Sequence, residues 1–488
     1  MSQKSKKEKK PSDFQQTEDL LEEEILPLKS KLAFGGTTIS SAILSGIVFG
    51  PITFFYNVKL GLSAELCSLA WVIFIIWNTL NDPLFGFIED STKSEKYGRR
   101  VPYLRFGAPF YGFLFILCWY PVVNPSNDIA LFVNLILVLF LFDTFFTIIG
   151  LITYSLPAEM AISSKTRSNL MIFGAIFNGL GILLSFVIPL LLLTGDQSPH
   201  LNPLFRPTMV ILGITCGLII FISSYFIKEN KYTIMEESMD FLKGLKETFK
   251  NKSFLIFEVS NFSFVLARTI LTTSVFYYID YVLKLGGITS IIPIILFFSM
   301  VFAFIPVYNK MVKRIGLLKA YIIALTSTGF SFILFFFIGW NFSSAIIGMI
   351  LLGISFSGYF LMGQMVMAEV IDYDEVRTGK RRETTYSGAN ALLTKPAVSL
   401  AASLFLTIIS AFGFNSEIST QTESAQFGIM LGFTIIPAVF ILISAIAMNF
   451  FPLKGEKWQK EKEKLAKIHK RKEREYLKQL KEKVELSY

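Results

Sequence analysis

The chain has 488 residues, of which 52% are hydrophobic and 17% are charged, and its formal net charge is +9. Ordinary soluble domains carry about 25% charged residues, and a soluble fold of this size needs a polar exterior that this composition does not supply. The composition therefore excludes a soluble enzyme and predicts a membrane protein. Most lysines lie in the connections between spans and at the termini, so the positive charge does not indicate nucleic-acid binding.

The chain begins with a polar, charged segment, residues 1–30, that contains no apolar run. A cleavable signal peptide has an apolar core, so we expect none here, and we expect the first span to act as its own insertion signal.

Twelve long apolar runs follow, and a bilayer-spanning helix needs about 20 such residues. The predicted spans are residues 33–57, 65–88, 102–123, 129–153, 168–194, 207–227, 254–282, 288–309, 316–340, 343–370, 384–413 and 427–451. The connections after spans two, four, six, eight and ten carry most of the Lys and Arg, which marks the cytoplasmic side. We therefore predict an all-α, multi-pass protein of the cell membrane with twelve transmembrane helices and both termini in the cytoplasm.

A polar stretch divides these spans into two sets of six. The predicted segments are a polar N-terminal segment (1–30), an N-terminal six-helix bundle (31–227), a cytoplasmic linker (228–252), a C-terminal six-helix bundle (253–452) and a charged cytoplasmic tail (453–488). This layout is typical of transporters built from two repeated bundles around a site near the midplane. The tail is expected to be a solvated helix attracted in part to anionic headgroups, with partner binding as the alternative.

The cysteines and histidines predict neither a disulfide nor a metal site. Cys67, Cys118 and Cys216 each lie inside an apolar run, and the only histidines are His200 and His469. No spacing typical of metal ligands occurs, and we find no nucleophile–base pair or phosphate-binding loop. We expect no enzyme activity and no cofactor other than a coupling ion.

Two cytoplasmic loops combine carboxylates, a glycine and clustered arginines. One reads Asn81-Asp82-Pro83-Leu84-Phe85-Gly86-Phe87-Ile88-Glu89-Asp90 and continues to Gly98-Arg99-Arg100-Val101-Pro102-Tyr103; the other reads Asp372-Tyr373-Asp374-Glu375-Val376-Arg377-Thr378-Gly379-Lys380-Arg381-Arg382-Glu383. A carboxylate between helix ends can pair with arginine and form an ionic latch that breaks as a bundle rocks. The predicted gating latch comprises Asp90, Arg99, Arg100, Asp374, Arg381 and Arg382. The alternative is that these charges only set the orientation.

These two loops resemble those of the glycoside–pentoside–hexuronide:cation symporters, the melibiose permease group of the major facilitator superfamily. Lys31-Leu32-x-x-Gly35 at the start of span one and Tyr278-x-x-Tyr281-Val282 at the end of span seven add to the resemblance, which covers about residues 31–452. The resemblance implies a major facilitator fold, alternating access, and symport of a small solute with a cation.

Span two contains the predicted cation site. Asn78 and Asp82 are four residues apart and share one helix face, with Asn81 beside them. In the resembled family this spacing holds two carboxylates that bind sodium or a proton, whereas here only Asp82 is acidic. Asp82 with amide oxygens and Thr147 of span four could hold Na⁺, or Asp82 could bind a coupling proton. A capping or latch role before Pro83 is the alternative.

Span four departs further from the resembled family. The family's carboxylate there aligns with Gly150, and its nearby aromatic residue, which stacks on sugar, aligns with Tyr154. Asp143, Thr147, Gly150 and Tyr154 follow helical spacing and share one face. We hypothesise that Asp143 replaces the missing carboxylate from a position displaced by about 10 Å.

The second half contains two basic residues inside spans, which are costly there and normally functional. Lys395 in span eleven matches a lysine of the resembled family and is predicted to be a switchable partner for Asp82 or Asp143. Arg268 in span seven could pair similarly or bind an anionic solute group bidentately. Glu258 and Asp280 lie near the ends of span seven and are expected at the membrane interface.

The resemblance implies a sugar-binding site, but this chain lacks two of the family's polar sugar ligands. The acidic sugar ligand in span one aligns with Ala42, and the arginine in span five aligns with Ala175. The predicted substrate-binding residues are Tyr154, Arg268, Lys395, Tyr277, Asn178 and Asn390. The basic residues favour a sugar acid among glycosides, pentoses and hexuronates.

We therefore predict a monomeric secondary transporter in the lipid bilayer, with a small-molecule solute and a coupling cation, Na⁺ or H⁺, as its partners. Three alternatives stay open. They are transport of a lysolipid or other amphiphile, uncoupled facilitation, and a receptor or scaffold that moves no solute.

Overall fold

The computed structural model describes residues 26–91, 100–161, 164–195, 201–228, 241–379, 382–456, 458–465, 467–468 and 471. These ranges are helical and contain no strand. The main helices are α1 (Leu28–Lys59), α2 (Ala64–Ser91), α3 (Val101–Leu117), α4 (Asp128–Met160), α5 (Ser164–Leu193), α6 (Phe205–Ser223), α7 (Lys252–Val282), α8 (Ile288–Ile315), α9 (Leu317–Ile338), α10 (Phe342–Thr378), α11 (Glu383–Ala411) and α12 (Glu423–Asn449). A linker helix, Phe241–Phe249, precedes α7.

Eleven of these helices are long and apolar enough to cross a membrane. The exception is α3, which has 17 residues and ends at Leu117, earlier than the predicted residue 123. Pro121 follows closely, and a residue before proline is disfavoured in the helical conformation. At about 26 Å, α3 is slightly shorter than the hydrocarbon core of a bilayer, about 30 Å.

The helices pack mainly with others from the same half of the chain, which we call the first half (α1–α6) and the second half (α7–α12). In the first half α1 lies against α5 and α6, and in the second half α10 lies against α8 and α9. Glycines permit close approach, as transmembrane helix contacts require. A Cβ on Gly112 of α3 would lie 2.4 Å from the Gly213 carbonyl oxygen of α6. The cysteines Cys67, Cys118 and Cys216 are buried and unbridged.

Two antiparallel helix pairs join the halves. In the polar seam, α2 lies against α11, and the hydroxyl oxygens of Ser68 and Ser403 are 2.8 Å apart. In the apolar seam, α5 lies against α8, and the rings of Phe186 and Phe298 are 5.7 Å apart. The two seams therefore have the same geometry and different chemistry.

One end of the molecule is formed by two equivalent backbone turns, one at the end of α1 and one at the end of α7. Each helix finishes in a π-helical stretch, Phe55–Lys59 or Tyr278–Val282. A residue with positive φ follows each stretch, Gly61 at 80° and Lys284 at 55°. These matching turns make Asn57 of α1 equivalent to Asp280 of α7, as an internal repeat predicts.

Both equivalent residues are buried and bond across the halves at this closed end. The Tyr277 hydroxyl donates to Asn57 Oδ1 at 3.0 Å, and the Gly195 backbone N–H donates to Asp280 Oδ1 at 2.7 Å. Gly195 and Gly286 approach so closely that a Cβ on Gly286 would lie 2.3 Å from the Gly195 Cα atom. Asp280 is therefore surrounded by protein near the end of α7, and its expected place at the membrane interface stays a prediction.

The start of the charged tail is packed against α10. Trp458 is 8% exposed, its indole N–H donates to Glu369 Oε2 at 3.3 Å, and its ring meets Tyr373 edge-on. Lys462 forms an ion pair with Glu369. The described part of the tail thus has one face packed against α10, a contact that the sequence did not predict.

Candidate cation site in the polar seam

Lys395 of α11 crosses the polar seam and contacts three oxygen atoms of the first half. Its ammonium donates to Asn81 Oδ1 at 2.8 Å and to Thr147 Oγ1 at 2.9 Å, and it forms an ion pair with Asp82 Oδ1. A lysine ammonium has three N–H donors, and each has an acceptor here. The nitrogen therefore occupies a position defined by a carboxylate, an amide and a hydroxyl oxygen.

The backbone of α11 helps to hold this lysine in the seam. Asn78 Nδ2 donates to the Lys395 carbonyl oxygen at 3.1 Å and lies 3.4 Å from Ser399 Oγ. Pro396 follows Lys395 within the helix, and a proline inside a helix removes a backbone hydrogen bond and favours a bend. Asn78 thus fixes the α11 backbone where that helix is locally weakened.

Asp143 of α4 forms the buried wall of the cluster and is fully shielded from solvent. Its Oδ2 accepts a hydrogen bond from Asn81 Nδ2, while Oδ1 has no hydrogen-bond partner among the described residues. Asn81 therefore links the two acidic residues, because its oxygen faces the ammonium beside Asp82 and its nitrogen faces Asp143.

The charges of the cluster do not balance. With both carboxylates ionised, Asp82 and Asp143 supply two negative charges and Lys395 supplies one positive charge. Oxygen donors of carboxylate, amide and hydroxyl type suit a hard cation rather than a soft transition metal. Within the described ranges, no group of three or more His, Cys, Asp or Glu residues could hold a metal ion. The oxygen atoms around the Lys395 ammonium therefore suit a monovalent cation at the position that the ammonium occupies.

A family model described as MFS/sugar transport protein matches residues 36–455. The chain belongs to this family. It is 25% identical to the uncharacterized symporter YnaJ of Bacillus subtilis, over 89% of this chain and 94% of the relative. It is 21% identical to the glucuronide carrier protein homolog of Escherichia coli, over 88% of this chain and 92% of the relative.

The fold of this family member is also similar to the crystal structure of the D-xylose-proton symporter. The TM-score is 0.60 at 15% identity, over 86% of this chain and 97% of that one. At this identity the likeness concerns the fold alone. Together with the family, it makes the chain a multi-pass transporter of the cell membrane with a major facilitator fold. Family membership indicates transport rather than catalysis.

The structure brings together all five residues predicted for the cation site of this MFS/sugar transport protein, with Lys395 at their centre. They are Asp82, Asn78, Asn81, Thr147 and Asp143. Helical spacing on α2 and α4 was sufficient to group them, because each helix contributes residues from a single face.

The other predicted substrate residues of this sugar transport family member are dispersed. Tyr154 is 71% exposed, and its hydroxyl is 3.2 Å from Ser387 Oγ of α11. Arg268 and Asn178 are exposed. Tyr277 is fully buried at the closed end, where its hydroxyl contacts Asn57.

Asn390, also predicted to bind substrate, lies in a buried polar group that sequence reasoning missed. It accepts a hydrogen bond from Asn261 at 2.6 Å, and its amide faces the carboxylate of Glu258. Glu258 is only 4% exposed, so it is covered by protein, and its expected place at the membrane interface stays a prediction. The signal available was a carboxylate inside the boundaries of an apolar span.

The latch residues fall partly outside the described part of the chain. This applies to Arg99, Arg381 and the side chain of Asp90. Arg100 forms an ion pair with Glu159 at the end of α4, at 2.8 Å. Asp374 is fully buried and accepts from Arg382 Nε at 2.8 Å and from Arg377 Nη2 at 3.2 Å. Glu159 and Arg377 are the two ion-pair partners that the sequence prediction missed.

Proposed function

We propose that this chain is a cation-coupled symporter of a sugar acid, with sugars of the same size as weaker substrates. It has twelve membrane spans in two six-helix bundles (31–227 and 253–452), with both termini in the cytoplasm. The short α3 is the twelfth span. The chain works as a monomer and needs no cofactor besides its coupling ion, since one copy contains the whole cluster around Lys395.

The three oxygen atoms that hold the Lys395 ammonium carry the proposal, because the same ligands suit a monovalent cation. A coupling cation, Na⁺ or H⁺, binds at Asp82 and Asp143 with Asn81 and Thr147, and it replaces the ammonium. Breaking a buried ion pair without replacement costs about 3–5 kcal/mol, so the polar seam opens readily only when the cation takes the place of Lys395. Cation binding is thereby linked to separation of α2 from α11.

The two ends of the molecule support an inward-facing state. Tyr277, Asn57, Gly195 and Asp280 close the end opposite the charged loops. Tyr154 and Arg268 are both exposed. The solute in this state exchanges with the cytoplasm, while Asp374 with Arg382 and Arg100 with Glu159 hold helix ends on that side.

The side chain of Arg268 supports the proposal that the solute is acidic. No ion pair to it occurs among the described residues, and an exposed guanidinium can bind a carboxylate through two parallel N–H bonds. Tyr154 offers an exposed aromatic face to a sugar ring, and Asn178 offers an amide. Tyr277 belongs to the closed end, so we assign it to closure rather than to the solute.

Flux into proteoliposomes tests this function. We expect glucuronate uptake that requires a Na⁺ or a pH gradient. Arg268→Gln lowers glucuronate uptake at least about tenfold, the effect of losing roughly 1.4 kcal/mol, with little change in xylose uptake. Arg314→Gln, at an exposed arginine of α8, is the matched control and leaves both unchanged.

Three results of this assay contradict the proposal. Uptake of lysophosphatidylcholine without either sugar makes the chain an amphiphile transporter. Glucuronate uptake that ignores both gradients makes it an uncoupled facilitator. Absence of flux for every compound favours a receptor or scaffold.

A further inference from the structure

Glu258 is a buried carboxylate in the second half of the chain and is not part of the cluster around Lys395. Glu258 of α7 is 4% exposed and lies about 9 Å along the helix axis from the start of α7 at Lys252. One amide position of Asn390 lies 3.0 and 3.2 Å from its two carboxylate oxygens. Glu258 is therefore held between α7 and α11, at the end of the molecule that carries the charged loops.

No positive charge compensates this carboxylate. Among the described residues none forms an ion pair with Glu258, whereas the buried Glu159 pairs with Arg100 and Glu369 pairs with Lys462. A lone ionised carboxylate inside a membrane protein is costly. Glu258 must therefore bind a cation or be neutral.

The helices packed against α7 include the linker helix Phe241–Phe249, of whose described side chains Lys246 is exposed and Glu247 pairs with Lys250. From α10 the titratable group is Tyr359, and from α11 the closest charge along the helix is Lys395, about one and a half turns beyond Asn390 and already bound to Asp82. From α12 there is no titratable residue between Ile436 and Asn449. On α7 itself, Arg268 lies about 15 Å further along the axis.

A chain of hydrogen bonds connects this carboxyl group to α10. The Tyr359 hydroxyl donates to Asn261 Oδ1 at 2.9 Å, and Asn261 Nδ2 donates to Asn390 Oδ1 at 2.6 Å. In this direction an acceptor, Asn390 Oδ1, faces the Glu258 oxygens. The contact is favourable only if Glu258 carries a proton and donates it.

The same atoms permit the opposite direction. If both amides turn over, Asn390 Nδ2 donates to Glu258 and to Asn261 Oδ1, and Asn261 Nδ2 donates to the Tyr359 oxygen. A charged acceptor then receives the bond, so this arrangement fits an ionised Glu258. The Tyr359 hydroxyl hydrogen is free in this second arrangement to donate to another group.

We propose that Glu258 is a second ion site of this transporter and that its ion is the proton. The carboxylate takes a proton from water at the charged-loop end, forms the neutral acid and donates to Asn390; release returns the proton to water and restores the carboxylate. Tyr359, which is half-buried, reports the change by gaining or losing a free hydroxyl hydrogen. This last step rests on the proposed function, because it offers that hydrogen to a solute hydroxyl.

The two ion sites share α11. This helix carries Asn390, which faces Glu258, and Lys395, which is bound in the polar seam. A movement of α11 on cation binding at Asp82 therefore also displaces the amide that faces Glu258.

Infrared spectroscopy of the purified full-length protein tests the protonation directly. The protein is labelled with carbon-13 at the side-chain carboxyl of glutamate, which shifts glutamate bands and leaves aspartate bands in place. We expect a carboxylic-acid C=O band from glutamate at neutral pH that is unaffected by added Na⁺. The band disappears in Glu258→Gln and persists in Glu369→Gln, the matched change at an ion-paired glutamate.

Any of three results overturns the proposal. They are the absence of a glutamate acid band in the wild type, its survival in Glu258→Gln, and its loss on addition of Na⁺, which would make Glu258 a metal-cation site. The labelled wild type alone decides the first and third, so the test does not depend on the variant folding.

Flux measurements separate this inference from the proposed function. The infrared band can be measured without a solute. If the band is present but glucuronate uptake is not driven by a gradient, the proton site is retained and the proposed transport function is rejected. If glucuronate is transported, Glu258→Gln should retain glucuronate exchange at equal pH on both sides. Its uptake driven by a pH gradient should fall at least about tenfold, which corresponds to roughly 1.4 kcal/mol. An unchanged pH-driven uptake removes the coupling role of Glu258.

Discussion

The polar seam and the apolar seam join the two halves with the same antiparallel geometry but with contacts of different kinds. Between α2 and α11 the contacts are hydroxyls, amides and an ion pair, such as Ser68 with Ser403 and Asp82 with Lys395. Between α5 and α8 they are chiefly aromatic rings and glycines, such as Phe186 with Phe298 and Gly179 with Phe302, with one hydrogen bond from Ser290 Oγ to the Leu190 carbonyl oxygen at 3.0 Å. Ion pairs can be exchanged for a bound cation, whereas ring contacts cannot.

In the proposed function, a cation gradient therefore acts on the polar seam. A cation that replaces Lys395 changes the free energy of the polar seam alone. In the proposed mechanism the apolar seam keeps its contacts while the polar seam opens. The following changes should separate the two seams, starting with the largest effect.

Asp143→Asn should remove cation binding. Loss of one member of a buried charge cluster costs about 3–5 kcal/mol, so we expect at least about a hundredfold weaker affinity. The readout is thermal unfolding with increasing Na⁺, or with decreasing pH in Na⁺-free buffer. Saturating cation at about 100 times its Kd stabilises the wild type by about 2.7 kcal/mol, and the variant should lose nearly all of it.

Asp128→Asn is the control for this change, because Asp128 is exposed at the start of the same helix. It should keep the full stabilisation. An Asp143→Asn protein that responds to the cation like the wild type would place the coupling ion elsewhere.

Gly286→Val should open the closed end next to the apolar seam. A Cβ on Gly286 would lie 2.3 Å from the Gly195 Cα atom, and overpacking of this kind costs about 1–3 kcal/mol. The state with this end open should gain about 5- to 150-fold in population. A cysteine at Phe276, which is buried against Phe54 and Phe186, should react faster with an impermeant maleimide.

Gly150→Val serves as the comparison, since a Cβ on Gly150 meets no atom within 4 Å. It should leave the labelling rate of the cysteine unchanged. Equal labelling in Gly286→Val and the parent protein would mean that the glycine contact does not hold this end closed.

The smallest expected effect is a difference in cation affinity between Ser403→Ala in the polar seam and Phe302→Leu in the apolar seam. Loss of the hydroxyl pair with Ser68 costs about 0.5–1.5 kcal/mol and weakens the state in which Lys395 occupies the site. Cation affinity should therefore increase about twofold to tenfold in Ser403→Ala. Phe302→Leu, in the apolar seam, should leave it unchanged, and equal effects in calorimetric titrations would deny the distinction between the seams.

The sequence predicts the spans and the members of the cation site because both depend on local patterns. Apolar runs have the length of a bilayer, and Asn78 with Asp82, or Asp143 with Thr147, share a face by helical spacing alone. Lys395 could be included because a charge inside a span needs a partner.

Other features depend on contacts that no local pattern encodes. Asn81 joins the two carboxylates only because α2 and α4 meet at that level. Gly195 and Gly286 lie in connections far apart in the chain, and their contact is a property of the closed end. The burial of Glu258 depends on the packing of α7 against α11, which no pattern within span seven encodes.

The central claim is that the Lys395 ammonium occupies the position of the coupling cation and must be displaced by it. Calorimetric titration of Lys395→Met with the cation that stabilises the wild type tests this claim most directly, with Lys310→Met, at an exposed lysine of α8, as control. Without the internal competitor, the cation should bind at least about tenfold more tightly, a gain of roughly 1.4 kcal/mol, while Lys310→Met binds like the wild type. Unchanged or weaker binding in Lys395→Met would contradict the account, because the lysine would then support the site rather than compete for it.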